Sequence, residues 1–275
     1  MIAASRKTAC VEIGGIPIAL STWDQNFLDL LRHRYEGFFS SSRPEFELEF
    51  DLVSPNPSSE VDDVQVRREG HKWLLRRGDF QARWDASTGR GNVRQNSNPY
   101  SLDAVLRIVH SLILAERGGF LLHAASAICD GRAYLFSGVS GAGKTTMTRL
   151  APPDVTLLTD EISYIRPNED GYSAFGTPFA GELAKAGENC TAPIACLFFL
   201  VQGPENRIDE LPSEEAVRRL MRNILFFAED RSLVEKLFAT ACDFVSRVPV
   251  RRLTFYPDTK VWNEIRNFQG VPQHA

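Results

Sequence analysis

Gly138-Val139-Ser140-Gly141-Ala142-Gly143-Lys144-Thr145 decides the reading of this chain, because it satisfies the spacing G-x-x-x-x-G-K-[ST] at each fixed position. Immediately upstream, Ala133-Tyr134-Leu135-Phe136 has the composition of a buried strand. Downstream, Thr145-Thr146-Met147-Thr148-Arg149-Leu150 can open a helix. Strand, glycine loop and helix start are the parts that phosphate binding needs. The glycines let successive backbone N–H groups turn toward an anion, and the helix N-terminus adds partial positive charge. The pattern assigns Gly138, Val139, Ser140, Gly141, Ala142, Gly143, Lys144 and Thr145 to nucleotide binding. Lys144 would reach the β- and γ-phosphates, and the Thr145 hydroxyl would sit on Mg²⁺. The competing reading is a glycine-rich turn that merely joins strand to helix. The expectation is a protein that binds a nucleoside triphosphate.

At 275 residues the chain has room for one large α/β domain or two smaller ones. Its 35 acidic and 31 basic side chains leave a net charge of −4, without the basic face that nucleic-acid binding requires. The five cysteines (Cys10, Cys129, Cys190, Cys196, Cys242) are scattered, with no C-x-x-C and no histidine at metal spacing. That pattern suits reduced thiols rather than a disulfide framework or a zinc site. The start of the chain lacks the long apolar core of a signal peptide, and no apolar run is long enough to span a bilayer. These features predict a soluble cytoplasmic protein with neither nucleic-acid nor membrane partners.

The first ninety-odd residues read as a small, mainly antiparallel α+β module. Val11-Glu12-Ile13 and Ile16-Pro17-Ile18 are strand-like around Gly14-Gly15. Phe27, Leu28, Leu31 and Tyr35 recur at helical spacing behind a Ser21/Thr22 cap. Phe46 to Leu52 alternates strictly between apolar and acidic residues, as a strand with one wet face does. A loop is expected over Ser54-Pro55-Asn56-Pro57-Ser58-Ser59, then short strands near Val64–Arg67, Lys72–Arg76 and Phe80–Trp84. Asn92 to Pro99 reads as a polar joint. Beyond it Leu102, Val105, Leu106, Val109, Leu112 and Ile113 form a helical stripe, with Ser101 as candidate cap and Gly118-Gly119 as stop. Further strands are expected at Phe120–Ile128, Val155–Thr159, Ile194–Val201 and Val250–Phe255. Helices are expected near 213–227, 230–245 and 261–268.

A carboxylate at the end of an apolar strand near a phosphate loop can hold Mg²⁺ or act on the nucleophile. Asp160 fits, following Val155–Thr159 and lying sixteen positions after Lys144. The bland alternative is that Asp160 and Glu161 only cap the strand end. Two adjacent acids also permit a division of labour between metal ligand and general base. His123 lies on the strand preceding the loop strand, either as a satisfied core histidine or, through antiparallel pairing, as a residue facing the γ-phosphate. Glu182 follows a Gly/Pro-rich turn and is either a magnesium carboxylate or a solvated loop acid. Lys185, Arg251 and Arg252 are candidates for neutralising a transferring phosphoryl group.

The order His123, Asp130-Gly131, Gly138–Thr145, Leu158-Thr159-Asp160-Glu161 resembles the catalytic domain of HPr kinase/phosphorylase, and more closely its shorter, divergent relatives. The loop with Thr146, and the Asp-Glu step, are also similar to those of phosphoenolpyruvate carboxykinases. The resemblance spans roughly residues 100 to 260. It implies a P-loop phosphoenolpyruvate carboxykinase-like α/β core, a mixed sheet flanked by helices, over residues 99–275, with an N-terminal α+β module of unknown role over 1–98. It implies Lys144 and the loop amides on the triphosphate and Thr145 on the metal. Asp160 would be the base toward an acceptor hydroxyl and a metal ligand, with Glu161 where the family has a second aspartate. His123 would stand near the phosphates and Glu182 would be a further magnesium ligand. The family's glycine-rich signature is not recognisable in Glu182-Leu183-Ala184-Lys185-Ala186-Gly187, so neither the phosphorylase reaction nor the HPr substrate carries over. Such relatives occur among peptide-modifying gene sets and assemble into oligomers. The functional expectation is a Mg²⁺/ATP-dependent kinase acting on a serine of a protein or peptide. The alternatives are a small-molecule kinase and a non-catalytic ATP-binding regulator.

Overall fold

The computed structural model describes residues 5–54, 63–183 and 186–268. Two units separate by internal contacts: Met1–Ile113 with Phe226–Ser232, and Leu114–Leu225 with Leu233–Ala275. Both are mixed α/β, each built on one mixed sheet.

In the first unit the elements run β1 (Lys7–Ile13), β2 (Ile16–Thr22), α1 (Gln25–Arg34), β3 (Phe46–Leu52), β4 (Gln65–Glu69), β5 (Lys72–Arg77), β6 (Phe80–Asp85), β7 (Arg90–Gln95) and α2 (Pro99–Glu116), which continues into the second. The sheet order is β1-β2-β3-β7-β6-β5-β4. The pairs β2–β3 and β3–β7 are parallel and the rest antiparallel. Strict alternation in β3 buries Phe46, Leu48 and Phe50 and leaves Glu47 facing Arg90 at 3.1 Å. The Phe50 ring meets Phe27 of α1 at 5.4 Å, so helix and sheet share one core.

Three expectations for this unit are corrected. Helix α1 is capped by Asp24, whose Oδ1 accepts from the Phe27 N–H at 2.9 Å, while Thr22 accepts from the Asp24 N–H at 3.2 Å. Asp24→Ala removes that cap and is expected to cost about 1 kcal/mol, read as a lower midpoint in urea unfolding. Ser101 is no cap either, since α2 starts two residues earlier, with proline in its first turn. The Ser101 hydroxyl donates instead to Asp79 at 2.6 Å, and Asn98 accepts from the Tyr100 N–H at 2.9 Å. Asn92–Gln95 belong to β7 rather than to a joint; Gly91, Val93 and Gln95 alternate inward there, and only one of them is a typical strand residue. Of the loop expected from Ser54 to Ser59, all but Ser54 lies outside the described residues.

The second unit continues with β8 (Phe120–Cys129), β9 (Arg132–Ser137), α3 (Lys144–Arg149), β10 (Thr156–Thr159), β11 (Ile162–Asn168), β12 (Gly171–Phe175), β13 (Thr191–Gln202), β14 (Arg207–Glu210), α4 (Ser213–Asn223), β15 (Ile224–Leu225), α5 (Arg231–Arg247), β16 (Val250–Phe255) and α6 (Val261–Asn267). Strand β9 lies parallel to β13, and β13 parallel to β16, while β8 runs antiparallel to β9. Phe136, Phe198, Leu253 and Phe255 from these strands pack with Met147 of α3 and Val261, Trp262 and Ile265 of α6. The longer strands β8 and β13 reach beyond β9 to a second group, in which β11, β12 and β15 complete the sheet. Among the described residues no helix is long and apolar enough to cross a membrane.

Candidate active site

Strand β8 explains how distant parts of the sequence meet. On one side, Thr159 of β10 opposes Ser126 and Ile162 of β11 opposes His123. After a shift of register between Leu157 and Thr159, the chain therefore keeps one antiparallel register along β8 from Thr159 through Asp160-Glu161 into β11. Its other partner, β9, ends with Ser137 opposite Ala124. Ala124 also donates its N–H to the Glu161 carbonyl at 3.0 Å. Glu161 and Ser137, the residue just before the first glycine of the loop, thus flank Ala124. His123, the next residue, shares a face of β8 with Ala125, Ala127 and Cys129, whose side chains pack in the cluster containing Met147 of α3. Its own carbonyl accepts from the Ser137 hydroxyl at 2.9 Å.

The loop Gly138–Gly143 is held by its neighbours. Ala142 N–H donates to the Val139 carbonyl at 3.0 Å, and the Gln202 amide donates to the Gly141 carbonyl at 2.8 Å. Gly143 has φ +108°, and a Cβ there would lie 2.4 Å from Cζ of Phe255, a buried ring at the end of β16. Gly143→Ala must move that ring and hold a left-handed alanine. The expected cost is about 2–4 kcal/mol of stability, with loss of nucleotide binding, read by thermal unfolding and nucleotide titration of the same variant.

Lys144 opens α3 and folds back over the loop, donating to the carbonyls of Gly138 at 3.0 Å and Val139 at 3.4 Å. Burial holds its pKa below the usual lysine value, and the charges of Glu182 and Glu161 oppose that shift. The Thr145 hydroxyl donates to Glu182 Oε2 at 3.0 Å. Glu182 arrives from a segment secured to β10 by Thr177 N–H to the Leu158 carbonyl (3.1 Å) and Glu188 N–H to the Leu157 carbonyl (2.9 Å). Asp160 is buried and accepts from the N–H groups of Gly181 and Leu183, each at 2.9 Å. The turn itself is shaped by Thr159, whose Oγ1 accepts from the N–H groups of Glu161 and Ile162, both at 3.2 Å.

Lys144, Thr145, Glu182, Asp160 and Glu161 accordingly surround one loop, with His123 on the adjoining strand. Arg251 and Arg252 do not join them. Arg252 pairs with Asp209 across β14 and β16 at 3.0 Å, and Arg251 donates to the Val250 carbonyl at 3.0 Å. Lys185 lies outside the described residues. Gln202, Phe255 and Thr159 also support the site; the first two carried no functional signal in the sequence, and Thr159 stood there within Leu158-Thr159-Asp160-Glu161 with no role of its own.

Thr145 and Glu182 offer two oxygen donors side by side, and no cluster of three or more His, Cys, Asp or Glu able to hold a metal occurs among the described residues. That donor set fits Mg²⁺, which keeps several waters and takes one or two protein oxygens plus substrate phosphates. It does not fit a structural zinc site.

A family model described as "SynChlorMet cassette protein ScmC" matches residues 94–269. The chain belongs to the ScmC family. The match spans every residue of the site just described, so the loop, the acidic step and Glu182 all lie in the part of the chain shared with ScmC proteins. No curated protein matches the sequence. A solved structure titled "Structure of the Hpr(Ser) kinase/phosphatase from Coxiella burnetii" is similar at 11% identity and a TM-score of 0.30, covering 54% of this chain and 90% of that chain.

Proposed function

We propose that this ScmC-family chain is a Mg²⁺/ATP-dependent kinase that transfers the γ-phosphoryl group to a hydroxyl, the serine of a protein or peptide. On this reading residues 99–275 form the catalytic part, with a phosphoenolpyruvate carboxykinase-like core. The observation that carries it is the meeting of Lys144, Thr145 and Glu182 at one glycine loop, with a two-carboxylate step beside them. A passive glycine turn has no use for that set.

The loop amides and Lys144 hold the β- and γ-phosphates, and Thr145 and Glu182 hold the metal. Bound there, Mg²⁺ neutralises charge on the phosphate oxygens. The acceptor oxygen forms a bond to the γ-phosphorus as the bond from that phosphorus to the β,γ-bridging oxygen breaks. ADP leaves, and the acceptor proton passes to the acidic step. His123, on the face of β8 that carries α3, would stand near the γ-phosphate. Such sites act by positioning and electrostatics rather than by covalent chemistry of their own.

Purified protein with γ-labelled ATP and Mg²⁺, with and without peptides encoded beside its gene, tests the reading, with Lys144→Ala as control. Label on a discrete peptide or protein, absent in the variant, supports it. Label only on a metabolite makes the chain a small-molecule kinase. Binding of ATP with no transfer to any acceptor makes it a regulator.

A further inference from the structure

Strands β4 to β7 bury Val66, Trp73, Leu75, Ala82, Trp84 and Val93 on one face of the first unit's sheet. The residues that alternate with them stand on the other face, and strand pairing lays them out in rows. One row runs Gln65, Arg76, Gln81, Arg94, and the next runs Arg67, Leu74, Arg83, Asn92. All but the half-buried Leu74 are exposed. Seven arginines lie on these four strands. Four of them face a carboxylate: Arg68 meets Asp230 at 3.3 Å, Arg77 meets Asp79 at 2.6 Å, Arg90 meets Glu47 at 3.1 Å and Arg94 meets Asp51 at 4.0 Å. The other three, Arg67, Arg76 and Arg83, pair with no carboxylate among the described residues. They are also neighbours. Arg67 and Arg83 stand on either side of Leu74, and Arg76 lies two residues from Leu74 on its own strand.

We propose that Arg67, Arg76 and Arg83, with Leu74 between them, form a docking surface for an acidic peptide segment that carries carboxylates around an apolar side chain. A guanidinium presents a planar fork of N–H donors that a carboxylate accepts in pairs, and clustered arginines are a recurrent means of reading acidic motifs. The neighbours of the three across the strands are neutral, namely Gln65, Leu74, Gln81 and Asn92, so their charge is not offset within the two rows. The extent of the patch and its borders select the partner. Adjacent strands lie about 4.8 Å apart and residues two apart on a strand about 7 Å, so the patch measures roughly 10 by 7 Å, room for two or three carboxylates. In the third row Lys72 sits between Glu69 and Asp85, and beyond β7 the strand β3 brings Glu47, Glu49 and Asp51. The regular phosphates of a nucleic acid would run from the arginines straight onto these acids, in a chain whose net charge is already −4. A short peptide fits inside the border, and its apolar residue meets Leu74. The inference concerns the first unit alone and stands whether or not the glycine loop carries out transfer.

Fluorescence anisotropy with the full chain tests the surface, using a fluorescein-labelled peptide in which glutamates flank a leucine, its glutamine counterpart and a labelled DNA duplex. The glutamate peptide is expected to bind, the glutamine peptide at least tenfold more weakly, and the duplex more weakly than the glutamate peptide. Arg67→Gln, Arg76→Gln and Arg83→Gln together are expected to weaken the glutamate peptide at least tenfold, and each alone roughly two- to fivefold. Leu74→Gln is expected to weaken it by a similar factor to one arginine. Arg90→Gln with Arg94→Gln, which removes arginines that already have carboxylates, is expected to leave it within twofold. Should the triple variant fail to fold, the single variants and a charge swap decide: Arg83→Glu is expected to lose the glutamate peptide and to gain its lysine counterpart. No saturable binding of the glutamate peptide by wild type, equal binding of the glutamine peptide, or unchanged binding by the folded triple variant overturns the proposal. An equal loss in the Arg90 and Arg94 variant also overturns it, because general charge would then be responsible. A duplex that binds more tightly than the glutamate peptide, and is released in the triple variant, makes the patch a nucleic-acid surface instead.

Discussion

Lys144→Ala is expected to abolish phosphoryl transfer while leaving the fold intact. A hydrogen bond from an ammonium to phosphate contributes about 1.5–3 kcal/mol. Its loss should weaken ATP binding roughly 10- to 150-fold, since each 1.4 kcal/mol is a factor of ten. Transfer should fall further, by roughly 10²–10³-fold beyond the binding loss, because the positive charge acts most strongly where negative charge develops. The free protein has little to lose. Lys144 is partly desolvated, which lowers its pKa, and the loop carbonyls it serves lie beside exposed Val139 and Ser140, where water can replace it. Thermal unfolding should therefore shift by no more than a few degrees. A large drop in Tm would recast Lys144 as a structural residue, and unchanged ATP affinity in a folded variant would remove it from the phosphates altogether. Lys144→Arg is expected to fail too, since the planar fork does not fit a place shaped for a compact ammonium.

The loop and its flanking strand and helix were legible because each part rests on residue types that few other structures need: two glycines, a lysine and a hydroxyl at fixed intervals after an apolar run. The strict alternation of β3 was legible for the same reason. Gly91-Asn92-Val93-Arg94-Gln95 was not, because a strand in the middle of a sheet can owe its place to the partners on either side rather than to its own propensity. The cap of α1 was misplaced because Ser21, Thr22 and Asp24 are all good cap residues, and only the backbone decides among them. At the site, Asp160 stood out by its position after β10, yet its two backbone partners lie twenty-one and twenty-three residues away. Glu182 is thirty-seven residues from Thr145; its place after a Gly/Pro-rich turn left a magnesium carboxylate and a solvated loop acid both open, and only the resemblance favoured the first. Such contacts depend on Thr177 and Glu188 pairing with Leu158 and Leu157 of β10, which no local pattern encodes. Arg252 shows the converse. As a basic residue it was a candidate for neutralising the phosphoryl group, but it pairs with Asp209, on a strand the sequence did not announce.

Trp262→Ala should produce the largest loss of stability among changes outside the loop. The side chain is fully buried, its ring meets Phe136 edge-on at 5.5 Å, and its indole N–H donates to the Met147 carbonyl at 3.2 Å. Replacing a buried tryptophan by alanine costs about 3–5 kcal/mol through lost transfer energy and the cavity left behind. For a unit of this size that is a fall of roughly 6–20 °C in Tm. The indole N–H also satisfies a carbonyl in a six-residue helix, α3, where few backbone acceptors have intrahelical partners. Trp262→Phe removes that bond and a smaller part of the ring volume, so it should cost about 1–3 kcal/mol. The two variants differ chiefly in how much packing is lost. Because α3 begins with Lys144 and Thr145, the alanine variant should also weaken ATP binding at temperatures where it remains folded. The phenylalanine variant should bind nearly as well as wild type. Equal ATP affinity in wild type and a folded Trp262→Ala would mean that the loop is held from the strand side alone, by Gln202 and Phe255, and that α6 contributes only to the core.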